Sequence, residues 1–110
     1  MVTTEQKNEM LAIYSKKFGN NEADLKKYAS KIDIDNVDIF VVEFTEMQGT
    51  VFNYFCDLTE DGTQLSSNEI DQLAEKFINE NYAWVNKKAF KSFMNYYLHY
   101  MCWHEGIAKN

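Results

Sequence analysis

The sequence predicts an α+β domain: a β-hairpin packed against about four helices, in the order α-α-β-β-α-α. Three observations point there. Apolar residues recur at helical spacing in the first third of the chain and again after residue 66. The middle switches to alternating, β-branched and aromatic residues. Gln48-Gly49 interrupts that stretch with turn chemistry.

Taken in order, Thr3-x-x-Gln6 has the form of a capping box, in which each side chain satisfies a free amide of the other residue. Met10, Leu11, Tyr14 and Phe18 follow as one apolar stripe, and Gly19-Asn20 is a stop signal. A second helix is expected from Asn21, with Leu25, Tyr28, Ala29 and Ile32 facing inward. Asp38 to Met47 reads as a strand with Phe40, Val42 and Phe44 on one face. Thr50 to Leu58 reads as its partner, and Thr63 to Leu65 as a short third strand that would extend the antiparallel sheet. Ser66-x-x-Glu69 is a second capping box before the stripe Ile70, Leu73, Ala74, Phe77 and Ile78. A last helix is expected from Asn86 to Trp103. The 110 residues fit a single domain, 1–110, and a 45% hydrophobic content supplies a core without help from a metal or disulfide.

The N-terminal residues lack the basic start and apolar run of a signal peptide. The longest apolar run, Ile39 to Val42, is far short of the roughly 18 residues of a membrane span. Cys56 and Cys102 form no disulfide framework and read as reduced, buried thiols of a cytoplasmic protein. All eleven basic residues are lysine. Arginine supplies the bidentate clamp on phosphates and guanine edges, so its absence argues against direct nucleic-acid reading. Heavy use of Asn, Lys, Tyr and Ile fits an AT-rich coding sequence, as in a low-GC bacterium or its phages.

Charge is segregated. Residues 1–32 carry six Lys and four acids, residues 33–80 one Lys and twelve acids, and residues 81–110 four Lys and one acid. The middle segment therefore stands at −11 between ends of +2 and +3. An acidic face of Asp57, Glu60, Asp61, Glu69, Asp71 and Glu75 would attract a basic protein and can imitate nucleic-acid phosphates. The plainer use of such charge is solubility, or pairing with the lysines of the terminal helices.

On a wheel of about 100° per residue the last helix turns Phe90, Phe93, Met94, Tyr97, Leu98 and Met101 to the core. Tyr96 and Trp103 fall outside that arc. With Trp84 they are the candidate anchors for a partner or for a homodimer, unless the N-terminal helices cover them.

Three chemistries are conceivable for these residue types. His99, Cys102 and His104, with Cys56 from the hairpin, are ligand types for zinc, in a spacing that matches no finger or ribbon. Asp57-x-Thr59-x-Asp61-Gly62-Thr63 resembles the first half of an EF-hand loop. That resemblance fails at position 12, which is Asn68, and against a preceding strand. Neither cysteine is marked as an activated nucleophile, and no phosphate loop or G-x-S-x-G is present. The expectation is a non-catalytic protein-binding domain with no cofactor, in its most concrete form an acidic, DNA-mimicking, phage-type inhibitor of a nucleic-acid-binding enzyme. The alternatives are a homodimeric structural or regulatory subunit built on the aromatic C-terminal helix, and a small zinc- or calcium-binding protein.

Overall fold

A computed structural model describes residues 2–109. Helix α1 spans Thr4–Gly19, α2 Glu22–Lys31, α3 Asp38–Leu58 and α4 Ser67–Asn81. The C-terminal helix is continuous in three parts: α5 (Lys87–Phe93), a π-helical turn (Met94–Leu98) and α6 (His99–His104).

Both capping boxes form. Thr3 Oγ1 accepts from the Gln6 amide at 3.0 Å and the Gln6 side chain accepts from the Thr3 amide at 3.0 Å. Ser66 and Glu69 repeat the exchange at 3.2 and 2.9 Å. Asn86 caps α5 by accepting from the Ala89 amide. Each satisfies backbone donors that a helix start leaves without partners.

The β-hairpin is absent. Asp38 to Leu58 is one helix of 21 residues, and the fold is helical, not α+β. Among the described residues the only strand-like pairing is an isolated parallel bridge between Leu65 and Ala108. The physical reason lies in the burial. Phe44, Met47, Gln48, Val51 and Phe55 are all buried, at the three-and-four spacing of one helix face. Burying such a stripe stabilises by about 1.5–3 kcal/mol per large apolar side chain, which outweighs β propensities that span about 1 kcal/mol. Gly49, read as a turn residue, sits inside the helix, and a Cβ there would meet no atom within 4 Å.

The core joins Met10, Leu11 and Tyr14 of α1 to Leu25, Phe44, Val51, Phe55, Ile70 and Ile78, and to the inner face of the C-terminal helix. Helix α1 runs parallel to that helix. Asn8 donates to the Trp84 carbonyl at 2.8 Å and accepts from the Asn86 amide at 2.7 Å, Glu9 pairs with Lys88, and Ser92 Oγ donates to the Ala12 carbonyl at 2.6 Å. Two burial expectations are corrected. Phe18 is 63% exposed, because the chain leaves the α1 stripe before reaching it. Cys56 is exposed, because helix α3 turns it away from the face that carries Val51 and Phe55, whereas Cys102 is buried. No helix among the described residues is long and apolar enough to cross a membrane.

Candidate protein-binding surface

The most unusual backbone in the molecule is where α1 ends. Lys17 (φ 55°), Phe18 (φ 63°) and Gly19 (φ 83°) are three consecutive left-handed residues. The first two are not glycine, and each such residue costs about 1–2 kcal/mol. Strain of this kind persists only where the surroundings over-determine it. Here they do. The Asn21 amide donates to the Tyr14 carbonyl at 3.1 Å, and the Asn21 side chain donates to the Ile13 carbonyl at 3.1 Å. Gln48 Nε2 donates to the Gly19 carbonyl at 2.8 Å.

The turn sets the Phe18 ring on Tyr100, with ring centroids 4.3 Å apart. Tyr100 also lies against Trp103 at 6.2 Å and against the His104 ring at 5.8 Å. Trp103 is 62% exposed and Tyr96, one turn before Tyr100, is 47% exposed. The π-helical turn Met94–Leu98 lies within this stretch, and such turns recur at functional sites. Its inner side is the support of the surface. Tyr97 is buried, its hydroxyl donates to the Gln48 carbonyl at 3.3 Å, and its ring backs onto Gly19.

Alongside Tyr96 a groove of about 290 Å³ separates α1 from the C-terminal helix, with Lys16, Lys88 and Lys91 on its walls. Lys88 pairs with Glu9 at 2.6 Å, whereas Lys16 and Lys91 have no ion-pair partner among the described residues. The result is a surface of exposed rings edged by free lysines. Exposed rings at the rim of a packed core are the usual anchors of protein interfaces.

The other sequence candidates are dispersed. Trp84 is half-buried against Phe44, with Lys7 Nζ 4.1 Å over its ring, so it serves the core edge. The six acids do not act as one set. Asp57 is exposed in the last turn of α3, and Glu60 and Asp61 follow in the exposed α3–α4 turn, where Asp61 accepts from the Thr63 amide. The Thr63 hydroxyl first, and then the Thr63 amide, hold the Asp61 carboxyl below its ordinary range. Glu69 is held low by its capping-box bonds to Ser66. Asp71 contacts His99 Nε2 at 2.7 Å. Asp71 and Glu75 line one depression with Lys87 and Lys91, so part of the acidic charge faces lysine.

The metal candidates are likewise separated. His99 is engaged by Asp71, His104 stacks on Tyr100, and Cys102 is enclosed in the core. Among the described residues no three His, Cys, Asp or Glu side chains are placed to share a metal ion. The segment before the calcium-like loop is the helix α3, not a strand, so that objection falls away. Even so Glu69 is turned to its own cap and does not join Asp57 and Asp61. Burial, with a smaller contribution from Cys56, pushes the Cys102 thiol up to about 12. Partial burial, then the Glu105 and Asp57 carboxylates, push Cys56 up. Both shifts disfavour the thiolate that nucleophilic chemistry uses.

Of these features Tyr96 and Trp103 were readable from the helical wheel. Phe18 was not, because it belongs by spacing to the α1 stripe and is exposed only by the left-handed turn. Comparison with protein-family models, with curated proteins and with solved structures finds no match for this chain.

Proposed function

We propose that this chain is a non-catalytic protein-binding domain that acts in the cytoplasm, and that its contact surface is the ring-bearing face of Phe18, Tyr96, Tyr100 and Trp103. One observation carries the reading: a strained, hydrogen-bonded turn holds an exposed phenylalanine out of the core and against the half-buried ring of Tyr100. Backbone strain of this kind recurs at functional sites, which supports a use for the surface that the turn presents. The raised thiols of Cys56 and Cys102 support binding over catalysis, and two thiols outside a disulfide suit a reducing compartment.

A second reading is the acidic inhibitor of a basic, nucleic-acid-binding enzyme. It is favoured by Asp57 at the end of α3 and Glu60 in the turn after it, both exposed and without ion-pair partners among the described residues. Affinity capture from a cell lysate at low and high salt separates the two. On the first reading Trp103→Ala removes the captured protein and Glu60→Lys/Asp61→Lys keeps it. On the second the charge reversal removes it, and salt releases it from the wild type. Capture that neither variant alters contradicts both.

A further inference from the structure

Helices α4 and α5 border one open cavity with opposite charges. Asp71 and Glu75 stand one turn apart on α4, and Lys87 and Lys91 one turn apart on α5. Like charges at that spacing repel, so each row carries a cost within its own helix. The facing rows do not relieve it. All four side chains line the same cavity of about 580 Å³, yet no ion pair crosses it among the described residues. Phe90, half-buried, and Met94, buried, supply its apolar part. One acid is already positioned: Asp71 Oδ1 meets His99 Nε2 at 2.7 Å, which anchors the carboxylate through one oxygen.

We propose that this cavity binds a small zwitterion, an α-amino acid with an apolar side chain. The inference goes beyond the protein-binding reading, and none of the rings of that surface lines the cavity. The ligand's ammonium group lies between Asp71 and Glu75, and its carboxylate between Lys87 and Lys91. Each row then gains the opposite charge that offsets the repulsion within it. The apolar side chain rests on Phe90 and Met94, and the Asn95 amide at the cavity wall offers both a donor and an acceptor to the polar end. The volume lies within the roughly 300–1,000 Å³ usual for small-molecule sites.

The two walls select this class of ligand. A simple anion such as phosphate meets the lysines but is repelled by the carboxylates opposite. A simple amine has the reverse difficulty. A ligand that carries both signs close together satisfies both walls at once. The apolar part of the cavity then favours a hydrocarbon side chain over none.

Titration of the isotope-labelled protein with L-leucine and with L-phenylalanine, followed by amide chemical shifts, tests the proposal. Saturable shifts at residues 71–75 and 87–95 are expected, with a dissociation constant of about 1 mM or below. N-acetyl-leucine lacks the ammonium charge and leucinamide lacks the carboxylate, and each should bind at least about tenfold more weakly than leucine. Glu75→Gln/Lys87→Gln leaves the net charge at −6, since one charge of each sign is lost, and should weaken leucine binding by about threefold or more. Far-ultraviolet circular dichroism confirms that this variant is helical. No saturable shift with either amino acid up to about 10 mM overturns the proposal. So do shifts confined to residues away from the cavity, a blocked analogue that binds as well as leucine, or a helical double variant that binds leucine unchanged.

Discussion

Gln48 Nε2 donates to the carbonyl of Gly19 across 2.8 Å, both groups buried, and this bond ties the middle of α3 to the turn that ends α1. The same glutamine offers its own carbonyl to the Tyr97 hydroxyl. One side chain and its backbone thus join α1, α3 and the π-helical turn beneath the exposed rings.

Gly19 should tolerate no side chain. A Cβ there would lie 2.5 Å from Tyr97 Cδ1 and 2.6 Å from Gln48 Nε2, at a φ of 83°. Gly19→Ala is expected to destabilise by at least about 2 kcal/mol, combining left-handed strain with overpacking. Urea denaturation measures it, and an unchanged midpoint would refute the packing described.

Gly49 should behave in the opposite way. It is inside α3 with open space around its missing Cβ. Gly49→Ala is expected to stabilise by about 0.5–1 kcal/mol through helix propensity alone. A hairpin turn at this point would instead be damaged, so the sign of the change in thermal midpoint distinguishes the helix from the strand pair.

The two capping boxes should respond differently to acid. Bonding to the Ser66 amide and hydroxyl holds the Glu69 carboxyl below its ordinary 4.5. A lowered folded value means stabilisation that is present in full above 4.5 and lost as pH falls through the folded value. The matching position in α1 is Gln6, which does not titrate. Amide exchange at the start of α4 should therefore quicken as pH drops towards about 3, after correction for intrinsic rates, with α1 unaffected. Glu69→Gln keeps a capping residue of suitable shape and should abolish the difference.

The alkaline limb has its own origin. Burial first, then the nearby Cys102 and Cys56, push Tyr97 from 10.0 up to about 12, and burial pushes Cys102 from 9.0 up to about 12. Raised acids favour the fold fully below their unfolded values, so stability should fall as pH climbs from 9 towards 12. Tyr97→Phe is expected to cost about 1 kcal/mol at neutral pH by removing the bond to Gln48. It should also flatten that alkaline decline, which thermal midpoints measured across the range would reveal.

What was legible in the sequence was local. Thr3/Gln6, Ser66/Glu69 and Asn86 announce helix starts because the bonds they make reach only three residues. The outward placement of Tyr96 and Trp103 followed from helical spacing. Asp38 to Leu58 misled because Phe40, Val42 and Phe44 satisfy a period of two, while Phe44, Met47, Val51 and Phe55 satisfy a helical one. Burial against α1 and the C-terminal helix decides between them, and that is a property of the assembled chain. Phe18 departs from its helical spacing for a related reason: its left-handed turn is held at Gly19 by Gln48, twenty-nine residues beyond that glycine. The π-helical turn likewise has no local signal in Met94–Leu98.

The most direct test of the contact surface is the fluorescence of Trp103 alone, in a Trp84→Phe variant. The ring is 62% exposed on the isolated chain, so dilute protein should show red-shifted emission readily quenched by acrylamide. In the captured complex the emission should shift to the blue and resist quenching. Emission that stays solvent-like there would contradict a role for this face in protein binding.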